Sequence, residues 1–156
     1  MNPLLRIRLL ILVFIAGLLI SGATAIPLET ELRILADWLR GESGTAHWVL
    51  KVRDALVETY TKYPFIAYGT DWLAFAHFVI AILFIGPLRD PVKNVWVIEF
   101  GMIACVLLIP FALIMGGARG IPFGWRLIDC SFGIVGFIPL CLCRRLIQGL
   151  TSHKAG

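Results

Sequence analysis

The chain has 156 residues, of which 59% are hydrophobic and 15% are charged, and its formal net charge is +4. A mean hydropathy of +0.88 excludes an ordinary soluble domain, in which about half of the residues are apolar. The basic residues lie at the ends of apolar segments, so membrane topology accounts for the charge and we expect no nucleic-acid partner.

Four apolar segments are long enough to cross a bilayer as helices, which takes about 17–25 residues each. They lie at about 9–25, 66–86, 95–116 and 127–143. Their apolar residues are continuous rather than alternating, which disfavours a membrane β-barrel. The sequence therefore predicts an all-α integral membrane protein with four transmembrane helices, forming one membrane domain over residues 1–156.

The first apolar segment is open to two interpretations. Arg6 and Arg8, an apolar core at 9–20 and the tripeptide Ala-Thr-Ala at 23–25 are typical of a cleaved signal peptide. The segment is also long enough to span the membrane with slight bilayer thinning. We expect it to be retained as the first helix, and its cleavage would leave three transmembrane helices in the same orientation.

Residues 27–65 form a predicted loop on the outer side of the membrane. Leu28, Leu32 and Leu35 recur at helical spacing opposite charged residues, and a second such pattern runs from 43 to 63. We predict two amphipathic helices joined by Gly-Glu-Ser-Gly at 41–44, which cap the membrane helices, lie in the outer headgroup layer or receive another protein.

Lys and Arg are distributed unequally between the two sides of this topology. On one side they are opposed in the loops only by Asp90, whereas on the other side acidic residues balance them. Basic segments stay in the cytoplasm, so both termini are predicted to be cytoplasmic in a bacterial inner membrane. The residues assigned to the inner side are Arg6, Arg8, Arg89, Lys93, Arg144, Arg145 and Lys154.

Ionisable residues in or near membrane helices are costly and usually have a partner. Five of them are predicted near the outer surface and form a candidate binding pocket: Asp71, His77, Arg119, Arg126 and Asp129. The two arginines flank Trp125 and could bind an anionic phosphate or carboxylate. The alternative is structural, with Arg126 paired to Asp129 and His77 hydrogen-bonded to a neighbouring helix.

A small residue lies on the same helix face as one of these ionisable residues. Ala74 shares a helix face with His77, which predicts close approach of another helix at that histidine. Glu99 is expected near the inner end of the third helix, where it either extends to the headgroup layer or pairs with Lys93 or Arg89.

We expect no metal site and no cofactor. All four cysteines fall in predicted helices without disulfide or zinc-ribbon spacing. A zinc site from His77, Asp71, Asp129 and Cys130 would lack any ligand-spaced motif. His77 is the only histidine in a predicted span, which argues against a haem held by two histidines of one chain.

From Asp71 onward, the order of polar residues resembles the VanZ-like family related to teicoplanin resistance. The matching positions are Asp71 and His77, then Arg119 or Arg126, then Asp129 with Gly136 seven residues later. The resemblance covers roughly residues 70–143, but Gly133 stands where the family has a polar residue. The whole sequence also resembles a group of uncharacterised bacterial inner-membrane proteins, which implies no activity.

Three functions follow as expectations. The first is a non-enzymatic inner-membrane protein whose outer pocket binds an anionic lipid or amphiphile head group. The second is an accessory subunit of a membrane complex, which would dock through the small-residue faces Gly101-Cys105-Ala112-Gly116 or Gly133-Gly136. The third is an envelope or lipid-modifying enzyme that depends on His77.

Overall fold

The structure, a computed structural model, describes residues 2–39 and 44–152, in which all regular secondary structure is helical. Four stretches of the described chain are long and apolar enough to cross a membrane, which confirms four spans as helices: Pro3–Ala25, Pro64–Arg89, Val95–Ala118 and Phe123–Leu150. The helices are α1 (Pro3–Ala25), α2 (Leu28–Trp38), α3 (Gly44–Lys62), α4 (Tyr68–Leu83), α5 (Ile85–Arg89), α6 (Val95–Ala118) and α7 (Phe123–Ser152), with a 3-10 turn at Pro64–Ala67.

The helices extend beyond the apolar segments that predict them. At the start of α1, the Asn2 side chain accepts a hydrogen bond at 3.0 Å from the backbone N–H of Leu4, and Pro3 occupies the first helical position. At the other end of the chain, α7 continues to Ser152. Capping groups determine where a helix begins and ends, whereas hydropathy shows only which part of the helix is apolar.

The second span is not one continuous α-helix, in contrast to the prediction for 66–86. It begins with the 3-10 turn, continues as α4 to Leu83 and resumes as the short α5. Pro87 lies in α5 and has no backbone N–H to donate to the carbonyl of Leu83, which gives a physical reason for the break.

The chain divides into two compact units. The first, here called the hairpin unit, contains the chain up to Gly17 and from Ala81 onward. The second, the loop unit, is Leu18–Ile80.

The core of the hairpin unit is formed where α6 and α7 pack against each other. Glycine allows this contact at Gly101, where an added Cβ would lie 2.7 Å from Cζ of Phe84 and 2.8 Å from Cδ1 of Leu140. Five large residues of this unit have no solvent exposure, and Phe84 and Leu140 are the two that lie at this contact: Ile7, Ile11, Phe84, Ile98 and Leu140. The first half of α1 thus contributes two buried side chains, Ile7 and Ile11, while Leu5, Leu9 and Val13 on the same helix are exposed.

Helix α6 ends in a C-cap that also forms the tight connection to α7. The N–H of Ile121 donates to the carbonyl of Gly116 at 2.9 Å, and the N–H of Gly120 donates to that of Gly117 at 3.1 Å. Gly120 has a φ of 70°, a conformation that glycine adopts without steric cost. These bonds form a Schellman motif, which ends α6 and reverses the chain into α7.

In the loop unit, α2 packs against α3, and α3 packs against the 3-10 turn. The two helices predicted within 27–65 are present, whereas residues 41–43 of their predicted Gly-Glu-Ser-Gly connection lie outside the described residues. Gly22 of α1 is buried against α4, where an added Cβ would lie 3.0 Å from both the carbonyl oxygen of Ala74 and Cβ of His77. The predicted close approach of a helix at His77 is confirmed.

Candidate functional site

Arg126 lies in the first turn of α7, directly beside the end of α6. Two glycines of α6 make room for its side chain. A Cβ added at Gly116 would lie 2.7 Å from Cγ of Arg126, and one added at Gly117 would lie 3.0 Å from its Nη1. The Gly-Gly pair therefore allows the arginine side chain to lie against the helix backbone.

The guanidinium of Arg126 is held by backbone and aromatic groups. Nη1 donates to the carbonyl of Leu113 at 3.3 Å, and Cζ lies 5.3 Å from the ring centroid of Phe123. A cation near the C-terminal end of α6 is also favoured by the helix dipole. These contacts fix the position of the charge without neutralising it with a carboxylate.

The expected ion pair between Arg126 and Asp129 is not formed. The ion pairs among the described residues are Arg53–Asp54, Lys93–Asp90 and Arg144–Glu99. Nε of Arg126 is buried and has no acceptor among the described groups. The prediction was wrong because the glycines let the guanidinium turn toward the α6 backbone instead of along its own helix.

Arg119 and Asp129 belong to the same end of the α6–α7 hairpin. Arg119 is the C-cap residue of α6 and is exposed. Asp129 is half-buried and lies three residues after Arg126, about 4.5 Å further along α7. This end of the hairpin unit thus carries two arginines without a carboxylate partner among the described residues, and one carboxylate close to them in sequence.

Asp71 and His77 belong to α4 and to the loop unit. Asp71 is exposed, and His77 is half-buried. Nδ1 of His77 lies 2.8 Å from the carbonyl oxygen of Leu73, one turn earlier in the same helix. The expected hydrogen bond from His77 to a neighbouring helix is therefore replaced by a bond within α4. The five candidate residues divide between the two units, with Arg119, Arg126 and Asp129 in the hairpin unit.

A polar contact that the sequence did not predict joins the other ends of α6 and α7. Nε of Arg144 donates to Oε1 of Glu99 at 2.6 Å, so the expected pairing of Glu99 with Lys93 or Arg89 was wrong. Glu99 precedes the end of α6 by 19 residues, and Arg144 follows the start of α7 by 21. An antiparallel hairpin places such residues level with each other, so counting outward from the turn could have identified the pair.

The four glycines among the small residues proposed for docking to a partner pack against other residues of the hairpin unit. A Cβ added at Gly133 would lie 2.5 Å from the carbonyl oxygen of Cys105, and one added at Gly136 would lie 3.1 Å from its Sγ. Two thiols also reach across helices: Sγ of Cys130 lies 3.7 Å from the carbonyl of Ile109, and Sγ of Cys143 lies 3.6 Å from that of Ile7. These faces hold the unit together.

Within residues 2–39 and 44–152, no three His, Cys, Asp or Glu side chains come together in a group that could hold a metal ion. Comparison with protein-family models, with curated proteins and with solved structures found no match to this chain. The resemblance to the VanZ-like family therefore remains a prediction from the sequence.

Proposed function

We propose that the protein is a non-enzymatic, multi-pass protein of a bacterial inner membrane that binds the anionic head group of a lipid or amphiphile at the turn of the α6–α7 hairpin. Arg126 and Arg119 are the proposed phosphate or carboxylate ligands. In this proposal both termini are cytoplasmic, α2 and α3 form an amphipathic outer layer, and the hairpin turn faces the outer side.

The single observation that supports this proposal most is that the guanidinium of Arg126 has few hydrogen-bond acceptors and no counter-charge. A guanidinium has five N–H donors, and among the described residues one acceptor, the Leu113 carbonyl, is supplied to it. Removing a charged group from water is costly without a counter-charge, and no carboxylate pairs with this one in the described chain. A phosphate or carboxylate at the hairpin turn would supply both the charge and the acceptors.

Asp129 is the third residue of the proposed site, because it follows Arg126 by three positions in α7 and forms no ion pair within the described residues. Asp71 and His77, the other two candidate residues, belong to the loop unit and are not assigned to this site. The carboxylate of Asp129 would favour a head group that carries hydrogen-bond donors, such as hydroxyl or amino groups, beside its phosphate. The four apolar helices that are long enough to cross a membrane support a lipid or amphiphile as the ligand.

The test is native mass spectrometry of the full chain in mild detergent, with titration of phosphatidylglycerol and phosphatidylcholine. Loss of a charge-assisted hydrogen bond costs about 1.5–3 kcal/mol, so Arg126→Gln with Arg119→Gln should weaken phosphatidylglycerol binding at this site by about tenfold or more. Arg33→Gln, an exposed arginine of α2, is the matched control. Unchanged phosphatidylglycerol binding in the double variant would refute the proposal.

A further inference from the structure

We propose a second anion-binding site at the opposite end of α6, specific for the phosphate of an anionic phospholipid in the other leaflet. A cleft of about 430 Å³ lies there, between the first turns of α1, the turn that joins α5 to α6, and the end of α7. Its basic lining residues are Arg8, Arg89 and Lys93, and Asp90 is its acidic one. All belong to the hairpin unit.

The charges in this cleft do not balance. Both carboxylate oxygens of Asp90 already interact with Lys93. Oδ1 accepts the backbone N–H of Lys93 at 3.0 Å, and Oδ2 lies 3.7 Å from its Nζ. Arg8 and Arg89 form no ion pair among the described residues. Two guanidiniums that line one cleft repel each other, and a phosphate between them would remove that repulsion and accept their N–H donors.

Hydrogen bonds hold the backbone between Arg89 and Lys93 in place. The side-chain nitrogen of Asn94 donates to the carbonyls of Gly86 at 3.2 Å and of Asp90 at 2.9 Å. The backbone N–H of Asp90 also donates to Gly86 at 3.0 Å. Because these bonds fix the backbone, binding of an anion requires only that exposed side chains become ordered.

The position and remaining lining of the cleft favour a lipid over a free anion. The candidate spans begin or end here, at Pro3, Arg89, Val95 and Leu150, so the cleft lies where the helices meet the headgroup layer. Leu4 and Leu150 form part of its wall. An apolar wall beside two arginines suits a phosphodiester joined to acyl chains, and the anionic lipids of a cytoplasmic leaflet supply such phosphates.

This site is separate from the one proposed at the hairpin turn. The 24 residues of α6 give a helix about 36 Å long, so the two ends face different leaflets. Each site has its own arginines, and substitutions at one leave the other intact. Failure of one proposal can therefore be distinguished from failure of the other.

The experiment uses the full chain in mild detergent and native mass spectrometry with phosphatidylglycerol, phosphatidylcholine or inorganic phosphate. Arg8→Gln with Arg89→Gln should remove one bound phosphatidylglycerol and weaken its binding by about tenfold or more. The double variant Arg119→Gln with Arg126→Gln should retain that lipid. Arg145→Gln, an exposed arginine of α7 that does not line the cleft, is the matched control at the same end.

Asp90→Asn provides a test in the opposite direction. The amide oxygen of asparagine can still accept the N–H of Lys93, while the negative charge at the cleft is lost, so phosphatidylglycerol should bind several-fold more tightly. The proposal is overturned if the Arg8 and Arg89 variant binds phosphatidylglycerol like the wild type, or if phosphatidylcholine binds equally well. It is overturned in favour of a free-anion site if inorganic phosphate binds as tightly as the lipid with the same arginine dependence.

Discussion

Arg144 and Glu99 form an ion pair of 2.6 Å that joins α7 to α6 at the end of the hairpin opposite its turn. The two side chains are partly exposed, with 31% and 44% of their surface accessible, so the pair lies between a buried and a surface ion pair. It links the two helices at a position where the preceding residue of each, Ile98 and Cys143, has no exposed surface.

We expect Glu99→Gln to lower the free energy of unfolding by about 1–3 kcal/mol, because it leaves Arg144 partly buried without its counter-charge. Thermal unfolding in mild detergent measures the change. The double variant Glu99→Gln with Arg144→Gln should recover part of the loss. If the double variant loses as much as the sum of the single variants, the two residues are not coupled.

Gly133→Ala should destabilise the hairpin unit. The added methyl group would meet the backbone carbonyl of Cys105 at 2.5 Å, and overpacking of this kind costs about 1–3 kcal/mol. Gly149→Ala in the same helix is the matched control, since nothing lies within 4 Å of its added Cβ and alanine favours the helix. Equal melting temperatures for the two variants would contradict the packing described here.

Phe84→Ala should cost about 1–3 kcal/mol, less than in a water-soluble core, because lipid replaces water as the reference environment. Phe84 has no exposed surface, and its ring centroid lies 4.6 Å from that of Phe14. Phe111, which is 67% exposed on α6, provides the control substitution Phe111→Ala. A control variant that is destabilised as strongly as Phe84→Ala would argue against this core.

The proposed orientation can be tested with single introduced cysteines and a membrane-impermeant maleimide on intact cells. Lys51→Cys in α3 should be labelled from outside, whereas Lys93→Cys should be labelled only after the cells are opened. The wild-type chain is the blank, because three of its cysteines are buried and Cys141 is half-buried. Labelling of position 93 in intact cells would invert the topology and exchange the leaflets assigned to the two sites.

The four spans could be predicted because bilayer thickness sets the length of an apolar helix, and the chain contains four runs of that length. The approach of a helix at His77 could be predicted as well, since small residues on one helix face indicate close packing. The partners of the charged groups could not be predicted from the sequence. Arg126 turns toward α6 because of Gly116 and Gly117, and Glu99 meets Arg144 because of the hairpin register. Both depend on distances between helices, to which hydropathy is insensitive.

The contact between Ile7 and Cys143 has a consequence for biosynthesis. It joins residues 136 positions apart, whereas α6 and α7 are neighbours in the chain. Contacts between distant residues form late, because the intervening chain must first be made and its ends brought together. During synthesis α1 is therefore made well before α7, which supplies its partner at this contact. The uncharged run at 9–25 would allow α1 to remain in a bilayer without that partner until α7 is made.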